Sequence, residues 1–516
     1  MPEPLPASGP SGSATTVSAP SAPARSAPAA PLWRRPRAVP WLALVCLAFV
    51  AAQLSLAVPG SGLGWDETVY TSQVSGHIPA AFFSAPRARG ISFLAAPVAA
   101  FTSSTMALRV YMAALAGAGL FVSFRVWRPM LPPRVLALAA ALFASLWITL
   151  FYGPQVMPNL WSAYGAMAAV GCFLRAARNR TDRAALIGLA AGVTVVGLMR
   201  PPDAAWLVLP LAAAALTVRR WRAPALFVML AAGVVLGCAE WVVEAYVRYG
   251  GVAGRLHRSS AIEGGMGLHL AVDDQVRAMG GRALCRPCNV AWTHRAASFW
   301  WFALPVLVAC GALVAPRARR TTSWLALVTA GSMSVPYLFT ISYAAPRFLL
   351  PAYALLAIPV AECLWWLVTG AGGRLRPVAT AVVAAVLCTH LAVQGSVLHT
   401  ATSNNHRSRE RYDAIAARLH AYGVRPPCVL SGASAVPIAF YTGCSSRQTS
   451  GPDESITAAA LREKARHEPV AYLVHAGGRP PACAAAWRPV PLSTAHGSTG
   501  FGAYLPTDRM RSGPVC

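Results

Sequence analysis

The chain has 516 residues, 56% of them hydrophobic and only 12% charged, with a formal net charge of +26 from 44 basic and 18 acidic residues. Several separate apolar runs approach the roughly 20 residues that cross a hydrocarbon core as helix, which argues against a soluble globular protein and for a polytopic membrane protein. The arginines fall in short clusters between apolar runs rather than on one basic face, which excludes nucleic acid as the partner.

Residues 1–40 are rich in Pro, Ala and Ser without apolar periodicity, and they read as a disordered tail ending in the basic flank Trp33-Arg34-Arg35-Pro36-Arg37. The first apolar run, 41–58, reads as an uncleaved anchor in preference to a signal peptide, because every later span then takes a consistent orientation. Further candidate spans follow at 107–126, 134–152, 156–174, 184–199, 204–218, 224–246, 297–315, 323–342, 347–369 and 378–398, about eleven in all. With the N-terminus cytoplasmic, the inner segments collect Arg25, Arg34, Arg35 and Arg37; Arg125, Arg128 and Arg134; Arg175, Arg178, Arg180 and Arg183; Arg219, Arg220 and Arg222; Arg317, Arg319 and Arg320; and Arg374 and Arg376. Against these stand only Glu3 and Asp182, so each inner segment obeys the positive-inside rule. The Ala, Arg, Pro and Gly bias, with Lys464 the sole lysine, suggests a GC-rich bacterial genome and hence a multi-pass protein of the bacterial plasma membrane.

Two loops, 59–106 and 248–296, and a tail, 399–516, are then expected outside the cytoplasm. In the tail, Cys428-Val429-Leu430 and Val470 to Val474 alternate with helix-like stretches at 408–422 and 455–467, the pattern of a small α/β domain. Six of the cysteines, at 46, 172, 238, 310, 363 and 388, fall inside spans as small apolar fillers. The other six, Cys285, Cys288, Cys428, Cys444, Cys483 and Cys516, all fall outside, which suggests disulfides with the pairing left open.

The first outer loop holds the chemistry-bearing residues. Trp65-Asp66-Glu67 follows the first span closely, which puts two carboxylates at the level of a lipid head group. Ser84 to Gly90 then places Arg87 and Arg89 before Ile91 to Phe101, an apolar stretch too short to cross, expected in the interface or against the bundle. A carboxylate and arginines held together there suit deprotonation of a hydroxyl beside an anionic leaving group. Arg200 ends the fifth span, and Glu240 and Glu244, at i and i+4, share a face of the seventh. Acids inside a span usually face a cavity, so these two are cavity or acceptor candidates, while Glu362, nearer the cytoplasmic side, reads as structural. His257, in the loop after the seventh span, could cap that cavity.

Taken together, several stretches resemble the GT-C class of integral-membrane glycosyltransferases, of the protein O-mannosyltransferase and lipid A aminoarabinose transferase kind. They are Trp65-Asp66-Glu67, Pro86 to Phe93, Ala107-Leu108-Arg109-Val110 running into Ala113 to Gly117, Met157-Pro158-Asn159, Gly188 to Gly192 running to Arg200-Pro201, and Pro346 to Pro351. The resemblance covers about residues 41–370. It implies an enzyme that takes a sugar from a polyprenyl phosphate and transfers it with inversion to an acceptor hydroxyl on a polysaccharide, protein, lipid or natural product. Asp66 would be the general base and Glu67 its assistant, with Arg87 or Arg89, Arg347 and Arg200 on the donor phosphate. The chain departs from many such enzymes in having Asn159 where an acid stands and Phe348 where an aromatic hydroxyl stands. No nucleotide-binding motif is present, and neither a cofactor nor a metal is expected. A transporter of a lipid-linked sugar or a non-catalytic envelope scaffold are the competing readings; the enzyme reading requires Asp66 to face an outward cavity also lined by Arg87 or Arg89 and Arg347.

Overall fold

The computed structural model describes residues 39–292, 294–493 and 499–507. The tail read over 1–40, save its last two residues, and Cys516 lie outside them.

All eleven apolar segments fall on helix. Helix α1 (Val39–Ala52) ends in a π-turn, Gln53–Ala57, and leads into a turn and the short α2 (Trp65–Ser72). Helix α3 (Gly90–Ala99) turns Ile91, Ala95 and Ala99 inward and leaves Phe93 half-exposed, so the stretch that was too short to cross packs against the bundle. After α4 (Thr105–Arg125), the expected span 134–152 is two helices, α5 (Pro133–Ala144) and α6 (Trp147–Tyr152). The chain breaks at Leu146, which is extended. The Trp147 N–H released from the helical ladder donates instead to Gln394 Oε1 at 2.8 Å.

Helices α7 (Pro158–Arg178), α8 (Arg183–Met199), α9 (Pro201–Thr217) and α10 (Pro224–Tyr249) follow. Small residues set the spacing of α8 and α10: a Cβ on Gly237 would lie 2.7 Å from the Thr194 carbonyl oxygen and 3.0 Å from Gly197 Cα. Such positions let helix backbones approach in a bundle whose association gains little from the hydrophobic effect. The segment between α10 and α13 (Phe299–Val314) carries α11 (Val252–Ile262) and α12 (Val272–Ala278). Helices α14 (Arg317–Phe339), α15 (Leu350–Thr369) and α16 (Arg376–Ala421) complete the bundle. Among the described residues six helices are long and apolar enough to cross a membrane. Of these α15 is central, with 89% of its apolar stretch buried, whereas α16 is peripheral at 17%.

The expected boundary at 398/399 falls in the middle of α16, which runs on as one 46-residue helix. Its last turns are part of the C-terminal domain: Ile415 and Leu419 join α17 (Ala435–Thr442) on one face of a five-stranded sheet, and α18 (Ala458–His467) covers the other. Strands β1 (Val429–Gly432), β2 (Ser445–Ser446), β3 (Val470–His475), β4 (Arg488–Pro491) and β5 (Phe501–Leu505) lie in the order β2-β1-β3-β5-β4, with β1 parallel to β2 and β3, and β5 antiparallel to β3 and β4. Disulfides join Cys285 to Cys288 and Cys428 to Cys444; Cys483 is buried and has no disulfide partner among the described residues.

Candidate functional site

Helix α2 presents its two acids in opposite senses, because consecutive helical residues differ by about 100° around the axis. Glu67 points inward and is 2% exposed. It accepts the Gly64 N–H at 3.1 Å, closing the start of the helix, and the Val156 N–H at 2.9 Å. Arg109, fully buried on α4, grips both of its oxygens, at 2.5 and 2.8 Å, and also donates to the carbonyls of Pro154 and Gly62. This carboxylate is committed to joining α2, α4 and the turn before α7. It thereby fixes the backbone that carries Asp66.

Asp66 points the other way and keeps 36% of its side chain exposed. Arg87 donates to Oδ1 at 2.8 Å and Arg347 to Oδ2 at 3.1 Å, so the carboxylate bridges two guanidinium groups. Arg87 continues to Asp453 Oδ1 at 2.9 Å, and Asp453 also accepts from the Trp65 indole. Arg347 is steadied by the Ala283 carbonyl at 2.6 Å and lies against the rings of Tyr152 and Phe348. Arg200 stacks on Phe348 and Tyr337, pairs with Asp203, and adds its charge to the field at Asp66. Burial works to raise the Asp66 carboxyl, but Arg87 and Arg347, with Arg200 behind them, outweigh it and hold the group below the usual carboxylate range. On Arg87 likewise, burial opposes the charge and Asp66 and Asp453 more than restore it.

The remaining candidates fall elsewhere. Arg89 is engaged by Glu240 at 3.2 Å and Glu244 at 2.7 Å, with its guanidinium over Phe83, so it is not a partner of Asp66. Glu244 also pairs with Arg248 and with Arg255, so both acids of α10 are engaged by arginines other than those at Asp66. Arg255 is buried completely and donates to the carbonyls of Ala85, Arg87 and Trp241, which fastens the loop that presents Arg87. Asn159 is buried at the start of α7 with its Oδ1 unpaired among the described residues, and His257 is exposed on α11. Glu362 takes both of its bonds from Arg319 and is structural.

Sequence reasoning brought Asp66, Arg87, Arg200 and Arg347 to one place and missed Asp453. No local signal marks that residue, since its partners lie 366 and 388 positions away. Two hollows open in the helical domain. A polar pocket of about 770 Å³ has Leu63, Gly64 and Ala283 in its wall, and an apolar groove of about 600 Å³ runs between α5, α13, α15 and α16, lined by Phe143, Trp300, Leu304, Tyr353 and Val393.

No protein-family model and no curated protein matches the sequence. In three dimensions the chain is similar to ArnT from Cupriavidus metallidurans bound to undecaprenyl phosphate, at 13% identity and TM-score 0.64, over 92% of this chain and 98% of that one. The same protein in the apo state matches with TM-score 0.62, at 13% identity over the same shares of the two chains. The apo Archaeoglobus fulgidus oligosaccharyltransferase matches with TM-score 0.50, at 13% identity over 84% of this chain and 69% of that one. The likeness extends over nearly the whole chain.

Proposed function

From a GT-C fold with an arginine-bridged Asp66 at its centre, we propose that the protein is a membrane glycosyltransferase. It moves a sugar, mannose in this reading, from a polyprenyl phosphate to an acceptor hydroxyl, with inversion. The observation that carries the proposal is the placement of one half-open carboxylate between Arg87 and Arg347, with Arg200 close by. A dianionic or monoanionic phosphate suits three guanidinium groups, which bind its oxygens in a forked geometry.

The same groups divide the reaction. Asp66 takes the proton of the acceptor hydroxyl as its oxygen attacks the anomeric carbon. The bond from that carbon to the phosphate oxygen breaks, and Arg87, Arg347 and Arg200 hold the charge that returns to the phosphate. A phosphate that draws the arginines to itself also removes the charge compensation that keeps Asp66 weakly basic. Donor binding therefore raises the basicity of the carboxylate when it is needed. The apolar groove suits the prenyl chain, and the arginine distribution supports placing the site on the extracytoplasmic side, with the N-terminus inside. The acceptor belongs to the hydroxyl-bearing envelope molecules: polysaccharide, protein, lipid or exported natural product.

Transfer of radiolabelled mannose from polyprenyl phosphate by membranes expressing wild type or Asp66→Asn tests this. Loss of a general base costs about 100-fold to 10,000-fold, so the variant is expected to be nearly inactive. Equal transfer by both would remove Asp66 from the mechanism. The same membranes given an arabinosyl donor separate pentose from hexose, and addition of a chelator is expected to leave the rate unchanged.

A further inference from the structure

We propose that the polar pocket beside α2 is the acceptor subsite and that it takes an anionic saccharide, one carrying a phosphate or carboxylate near its reacting hydroxyl. This rests on the transferase reading above and adds the chemistry of its second substrate. The first argument is position. Leu63 and Gly64 in the pocket wall lead directly into the first turn of α2, which carries Asp66, and Ala283 in the same wall accepts a hydrogen bond from Arg347. The pocket therefore borders the segments that carry Asp66 and steady Arg347, which puts a molecule bound in it close to the base.

The second argument is charge. The pocket is lined by Arg282 and Arg409 and by no aspartate or glutamate. At the centre every arginine is already engaged, Arg87 and Arg347 by Asp66 and Arg200 by Asp203. Arg282 is exposed, and among the described residues its guanidinium makes no ion pair or hydrogen bond. Arg409 has a single long contact, 3.5 Å to the half-exposed Asp413. Arg282 thus carries uncommitted positive charge and Arg409 is held only by an exposed carboxylate outside the lining, so the pocket attracts an anion and repels a cationic acceptor.

The third argument is the remaining lining. Asn404 and Ser408 supply amide and hydroxyl groups from α16, and the rings of Tyr412 and Phe151 offer flat surfaces of the sort on which sugar rings rest. The volume, about 770 Å³, lies in the range of small-molecule sites and exceeds what one sugar ring fills.

The test uses the full-length protein in lipid nanodiscs and ligand-observed saturation-transfer NMR with three probes: glucose 6-phosphate, glucuronic acid and glucose. At least one of the anionic sugars is expected to bind about tenfold more tightly than glucose, in a salt-sensitive manner, and to lose that advantage in the double variant Arg282→Gln/Arg409→Gln. Comparison of the two anionic probes separates phosphate from carboxylate. Undecaprenyl phosphate binding, measured in the same nanodiscs, is expected to stay within about twofold of wild type in the double variant. Equal binding of glucose, undiminished binding of the anionic sugars by the double variant, or parallel loss of undecaprenyl phosphate would each overturn the proposal. The donor reading stands or falls separately, on whether Arg347→Gln weakens undecaprenyl phosphate binding.

Discussion

Asp66 and Glu67 share a peptide bond and have different fates, and the difference is set by which side of a short helix each occupies. Local sequence contains both acids but not the phase of that helix, so their roles separate only once Arg109 is seen to bind Glu67 on the buried side. Breaking a buried ion pair by neutralising one partner costs about 3–5 kcal/mol, because the other charge is left without compensation. Glu67→Gln is accordingly expected to lower the thermal unfolding temperature more than Asp66→Asn, whose carboxylate is partly open to solvent, while Asp66→Asn abolishes transfer; the reverse pattern would exchange the two roles. The arginines also govern pH behaviour. A carboxyl held below its ordinary value of about 3.9 stays ionised at every higher pH, and the stability from its ion pairs is lost only as pH falls through the lowered value. The profile of kcat/KM for the donor, which reports the donor-free enzyme, should therefore carry no acid limb from Asp66 above about pH 4. A limb near pH 6 would mean that the titrating base is not this arginine-bridged carboxylate.

Among the helices, hydropathy located every apolar segment because lipid-facing and core-facing residues are both apolar, and length then follows from bilayer thickness. What it concealed were features that depend on partners. The break at Leu146 is stabilised by Gln394 from a distant helix, and a polar extension of α16 beyond 398 carries no apolar signal although no proline interrupts it before Pro426. Close packing of α8 on α10 is equally invisible except as glycines at suggestive spacing. Gly237→Leu, which forces a side chain against the Thr194 carbonyl, is expected to destabilise the fold by about 1–3 kcal/mol, read as a lower midpoint in thermal unfolding of the detergent-solubilised protein.

For the whole molecule, Asp453 shows that the C-terminal domain takes part in building the reaction centre, since it holds Arg87 and Trp65 from across the chain. Asp453→Asn is expected to reduce kcat by about tenfold through loss of Arg87 alignment, without raising the donor KM, because the substitution also removes a competitor for that guanidinium. An increased donor KM would show that Asp453 instead keeps Arg87 available to the phosphate. One further consequence lies in α16. The same helix lines the apolar groove at Ala385 to Val393 and the polar pocket at Thr400 to Tyr412, so both walls belong to a single rigid screw. A residue inserted between 394 and 399 would advance everything beyond it by about 1.5 Å and turn it by about 100°. Insertions in this short interval are thus a register control: one residue should uncouple lipid occupancy from saccharide binding, and seven, close to two full turns, should restore the rotational phase of the pocket wall but leave it displaced by about 10.5 Å along the axis.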